Sequence, residues 1–157
     1  MSVFVPPLVE QATIAFLSAQ VFAQTDEDGI ALDSNRIIKG FQRSATIDEE
    51  IKMPLPCAIA SCLTASVESD QFSGNWQADL TLELRTKVFD TSSAKHQAMA
   101  EELFAFLFES TIAASLSDIS GFTAFMVVPV QQSRAVENNC WVSRGRFTVR
   151  CCGSDIA

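Results

Sequence analysis

Residues 76–88 read Trp76-Gln-Ala-Asp-Leu-Thr-Leu-Glu-Leu-Arg-Thr-Lys-Val88, and the alternation within this stretch decides the fold class. Trp76, Ala78, Leu80, Leu82, Leu84, Thr86 and Val88 fall on one face of an extended chain. Gln77, Asp79, Thr81, Glu83, Arg85 and Lys87 fall on the other. Successive strand side chains point to opposite faces, so this pattern puts one face on a core and the other toward water or a polar partner.

Working outward, Glu68–Asn75 has the composition of a hairpin connection longer than the tightest type. It leads back to a strand over Cys57–Val67, with Cys57, Ile59, Leu63, Ala65 and Val67 expected on one face. Met53-Pro-Leu-Pro56 excludes a helix immediately before it, because proline and the residue preceding it resist the α region. On the other side, Asp90-Thr-Ser-Ser93 offers side-chain oxygens to cap a helix reaching about Ala114. Met99, Leu103, Phe106 and Leu107 form its apolar stripe, with Ala100, Phe104 and Phe108 beside it. Polar residues from Ser117 to Gly121 precede a strand over roughly Phe122–Val130. A turn-like polar segment, Gln131–Asn139, connects to a last strand, about Cys140–Cys152. There Trp141, Ser143, Gly145, Phe147, Val149 and Cys151 share one parity, and Val142, Arg144, Arg146, Thr148 and Arg150 the other.

The N-terminal part opens with a helix introduced by Pro6 and Pro7, where a missing N–H costs nothing. Its stripe runs through Leu8, Ala12, Ala15, Phe16, Ala19 and Phe22, widened by Ile14, Leu17 and Val21, to an end near Ala23. Residues 24–53 are a long, acidic loop or arm with a short strand expected near Arg36–Gly40. Connections of this length are usually functional or mobile. The order predicts a single α+β domain over 1–157: a mostly antiparallel, four- to five-stranded sheet with two helices on one face and a polar second face.

The 157 residues suffice for one core, and 48% hydrophobic content argues against disorder. Twelve Phe and no Tyr mean that the core rings need no hydroxyl partners. A net charge of −8 disfavours sequence-specific DNA binding, which depends on Lys and Arg displacing counterions from phosphate. Cys57, Cys62, Cys140, Cys151 and Cys152 form no zinc-binding spacing, and a reduced, buried state in a cytosol is expected for them. No stretch approaches the ~20 apolar residues of a membrane span, and no secretory signal is evident.

A search for chemistry yields little. His96 is the single histidine, expected at the surface or in a capping role at the start of the second helix. A Cys–His pairing with Cys57, Cys62 or Cys140 remains open at this point. Glycine-rich phosphate loops, nucleophile elbows and zinc-protease motifs do not occur, so catalytic, cofactor and metal sites are all expected to be none. The acidic runs Asp26, Glu27, Asp28 and Asp48, Glu49, Glu50 lack the alternating oxygen ligands of a calcium loop. Arg144, Arg146 and Arg150 share one face of the last strand. They either oppose Asp79 and Glu83 across the sheet or form an electrostatic seam to a neighbouring subunit's acidic loop.

The hairpin loop ending in Gly74-Asn75-Trp76, the alternating strand to Phe89, and Asp90-Thr91-Ser92 with His96 in the next helix carry a resemblance. With the element order, they make the chain similar to the small tail-terminator and tail-completion proteins of long-tailed bacteriophages. The likeness extends from the first helix to the last strand, while the long acidic segment 24–53 and the five cysteines depart from it. The resemblance implies a non-enzymatic virion protein of the head–tail joining region, made in the host cytoplasm. It implies a homo-oligomeric, hexameric ring that caps the tail-tube protein, ends its polymerisation and meets head-completion or neck proteins. Genomic DNA would pass through the lumen without specific binding. Asp26, Glu27, Asp28, Asp48, Glu49, Glu50, Arg144, Arg146 and Arg150 are the expected interface or lumen residues. The alternatives are a small dimeric ligand-binding or regulatory module and a Cys/His hydrolase.

Overall fold

A computed structural model of the protein describes residues 4–40, 54–67, 75–88, 93–108 and 122–153. Asp48, Glu49 and Glu50, the loop 68–74, the capping residues Asp90, Thr91 and Ser92, and the expected helix end near Ala114 lie outside the described residues.

Helix α1 spans Val5–Ser18, with proline in its first turn. Strand β1 is Ile37–Lys39, β2 Cys57–Val67 and β3 Asn75–Lys87. Helix α2 spans Ala94–Ala105 and runs into a 3-10 turn, Phe106–Phe108. Strands β4, Phe122–Glu137, and β5, Cys140–Gly153, complete the sheet. The five-strand order is β1-β2-β3-β5-β4. Among the described residues, the β1–β2 pair is parallel and the other pairs are antiparallel. The α+β class is therefore as expected, with both helices packed on one face of the sheet.

Five details of the sequence reading need correction. First, α1 ends at Ser18, and its buried face is Val5, Val9, Ala12, Thr13 and Leu17. That face is rotated from the stripe through Leu8 and Ala15, and Val21 beyond the helix is 89% exposed. Second, the parity of β2 is reversed at its start. Ala58, Ala60 and Cys62 join the core under the helices. A bulge between Cys62 and Thr64 leaves Leu63 exposed and returns Ala65 to the core side. Such an extra residue switches the face of everything after it.

Third, Gln131–Glu137 is strand rather than turn. Glu137 pairs with Cys140, and only Asn138 and Asn139 turn, at φ 52° and 63°. Two consecutive left-handed residues make the tight hairpin turn that matches strand twist, and Asn tolerates that region. Fourth, His96 is buried, not a surface or capping residue. Fifth, the second sheet face is not simply polar. Cys57, Ile59, Cys140 and Val142 are buried on it together with Glu83.

The core between the helices and the sheet is apolar and continuous. Leu80, Leu82, Leu84, Leu103, Leu107, Phe147 and Val149 are almost fully buried within it. Gly145 leaves room for the Phe104 and Phe147 rings, since a Cβ there would lie 3.3 Å and 3.0 Å from their carbons.

Candidate functional site

Among the described residues, polar and exposed chemistry gathers at the β4 edge, in the groove between β4 and α2, and on the charged outer face of the sheet.

Among the described residues, strand β4 lies at the edge of the sheet and pairs only with β5. Every residue from Val128 to Val136 is exposed. Val130 and Val136 are 55% and 56% exposed. Register shifts interrupt the ladder between Ala124 and Met126 and between Pro129 and Gln131. Pro129 removes one edge N–H, so the middle of the strand resists unspecific strand addition, while both ends keep regular pairing.

The groove beside it holds about 820 Å³ and is lined by Phe104, Trp141, Val136, His96 and Ser143 among others. His96 bridges two strands. Its Nδ1 lies 2.8 Å from Thr86 Oγ1, and its Nε2 lies 2.7 Å from Ser143 Oγ. A neutral imidazole has one donor and one acceptor nitrogen, so one hydroxyl donates to the ring and the other accepts from it. Burial lowers the His96 pKa from 6.5 to about 4, holding the ring neutral. Both ring nitrogens are engaged by hydroxyls, so the ring is not paired with a thiol. Cys62 is buried, and desolvation, with Glu10 and Cys151 adding to it, pushes its pKa up to about 12. A thiol so placed is a poor nucleophile. All five cysteines are buried, and none is in a disulfide. Among the described residues no cluster of His, Cys, Asp and Glu is arranged to hold a metal ion.

The outer face carries an ion-pair chain across three strands. Glu83 accepts from Arg85 Nε and Arg144 Nε, both at 2.6 Å. Arg144 Nη2 donates in turn to Glu137 at 2.6 Å. The expected opposition of Arg144 and Glu83 is thus present, and the two residues are register partners. Asp79 is used differently: it accepts from the Thr64 hydroxyl at 2.9 Å. Arg146 donates to Gln131 at 3.2 Å, and both Arg146 and Arg150 are exposed.

Of the acidic run, Asp26 is buried, and its carboxylate organises its own turn. Oδ1 accepts from Asp28 N at 3.0 Å and Ile30 N at 2.9 Å. Gly29 takes φ 77° at the tip, and Thr25 bridges Ala31. Asp26 thus holds its own turn together, and within this run Glu27 and Asp28 face solvent. The segment is fixed to α2 by Glu102, whose two oxygens accept from Ala23 N at 2.8 Å and Gln24 N at 3.0 Å. The sequence reading missed Glu102, Thr86 and Ser143. Their pairing across 79, 10 and 47 positions leaves no local signal.

The sequence matches no protein-family model and no curated protein. Among the described residues no helix is long and apolar enough to cross a membrane.

Proposed function

We propose that this chain is a structural subunit of a virion, acting by self-assembly in the tail or neck of a long-tailed bacteriophage. In this reading it forms a ring, expected to be hexameric, that caps the tail tube and joins it to head-completion or neck proteins. DNA passes through the lumen. The observation that carries the assembly part is β4: a 16-residue edge strand with Met126, Val128, Val130 and Val136 left 38–56% exposed. Isolated folds usually shorten or cover such edges, and an exposed apolar one marks a joining surface. The sequence resemblance supplies the phage context, and the net charge of −8 suits a lumen through which DNA slides.

Electron microscopy of the purified protein mixed with tail tubes tests this directly. Rings on tube ends support the reading, and tubes with bare ends at saturating protein oppose it. Replacing Val128 and Val130 by Lys is expected to abolish tube capping while leaving the fold intact by circular dichroism.

One observation favours a second reading, a small-ligand module or hydrolase. Ser143, His96 and Thr86 form a hydrogen-bonded chain, and Ser143 and His96 line the groove. A hydroxyl in place of a carboxylate gives an imidazolium no counter-charge, and desolvation opposes its formation. The geometry therefore fits a core-satisfying role better than that of a general base. Ser143→Ala separates the two: an assembly subunit keeps its capping ability, whereas a hydrolase loses turnover.

A further inference from the structure

We infer that the sheet patch formed by Met126, Val128, Arg146 and Arg150 receives the Thr25–Ala31 turn of a second copy of this chain. The inference rests on the assembly reading above and assigns the two surfaces that meet.

The pairing register builds the patch. Met126 is opposite Arg150, Val128 opposite Thr148 and Gln131 opposite Arg146. These residues point away from the helices, on the same face as Arg144 and Glu83. Met126 and Val128 are 47% and 38% exposed. The two exposed guanidiniums are four residues apart on β5, about 13 Å at strand spacing. Asp79, opposite Thr148 on β3, is a carboxylate on the same face and accepts from the Thr64 hydroxyl. An apolar stripe flanked by arginines is the composition that interfaces favour.

Charge complementarity selects the occupant. Arg146 and Arg150 are exposed on the patch face, while Arg85 and Arg144 on the same face are engaged by Glu83 and Glu137. The turn at 25–31 presents Glu27 and Asp28 to solvent, and the segment leading into it exposes Val21. Its shape is set in advance by Asp26, so docking orders few groups. Opposite charges then fix register and approach, and apolar contact supplies affinity.

The two surfaces lie on opposite sides of the sheet. The turn belongs to the helix layer, tied to α2 by Glu102 and by the edge-on contact of Phe22 with Phe106 at 5.2 Å. A chain's own turn therefore does not reach its own patch, and contact between the two is between copies. The contact is head-to-tail, which closes into a ring or extends into a filament.

Charge reversal tests this by light scattering after size exclusion. The unmodified chain is expected to be multimeric. Glu27→Arg with Asp28→Arg should weaken association at least tenfold, and Arg146→Glu with Arg150→Glu should do the same. The chain carrying all four changes, or an equimolar mixture of the two double variants, should regain the multimer. That recovery also excludes misfolding as the cause of the losses. A multimer that persists unchanged in both double variants, or a folded fourfold variant that stays monomeric, overturns the inference and leaves the assembly reading standing. Loss of tail-tube binding alone in the arginine variant, with the multimer intact, also overturns it and reassigns the patch to another protein. An unmodified chain that is monomeric at every concentration overturns the assembly reading and this inference together.

Discussion

His96 shows how one buried polar side chain ties three elements together. It reaches from α2 to Thr86 on β3 and Ser143 on β5, and all three side chains are buried. Its removal leaves two hydroxyls without their partner, each costing about 1–3 kcal/mol when nothing replaces the bond. His96→Ala is therefore expected to lower the unfolding free energy by about 3 kcal/mol, read from urea denaturation. The pH dependence has a definite sign. The folded pKa is lowered to about 4 from 6.5, so between these values the unfolded chain binds more protons than the native one. Stability is thus lost as pH falls from about 6.5 toward 4. His96→Gln should flatten that slope, and an unchanged profile would show that the ring is not neutral in the fold. In the sequence this residue looked like a surface or cap histidine. Position on a helix says nothing about which hydroxyls distant strands bring to it.

At the scale of elements, the outer ion-pair chain joins β3, β5 and β4 through Glu83, Arg144 and Glu137. Glu83 is largely buried between two arginines. Removing one partner of a buried pair strands the others, so Glu83→Ala should destabilise by about 3 kcal/mol in chemical denaturation. The β4–β5 hairpin makes a second prediction. Asn138 and Asn139 both have positive φ, so Asn139→Val should cost about 1–2 kcal/mol, while Asn139→Gly should be tolerated. The strands themselves were readable, because the alternation in 76–88 is regular and 140–152 keeps Trp141, Phe147, Val149 and Cys151 on one parity. The boundary of β4 was not. Gln131, Gln132, Ser133 and Arg134 look like loop because this edge strand is exposed on both faces and carries no periodic apolar signal. The β2 bulge was equally invisible: Cys57-Ala-Ile-Ala is apolar on both parities, so period two cannot choose a face.

For the whole molecule, two exposed charged groups lie in different layers. The exposed carboxylates Glu27 and Asp28 belong to the helix layer, while Arg146 and Arg150 occupy the outer sheet face. The sequence reading named both groups as interface residues but had no means of placing them on opposite sides. Self-association between these layers should weaken with ionic strength, because exposed charges are screened beyond about 8 Å at physiological salt. Sedimentation at rising salt is expected to show a falling multimer fraction. The central claim is that this chain is built to join copies of itself into a closed ring. Native mass spectrometry of the unmodified protein tests it most directly. The account predicts one dominant species at a fixed multiple, six being expected, of the 17.1 kDa subunit. A single subunit mass across all concentrations and salt conditions would contradict it.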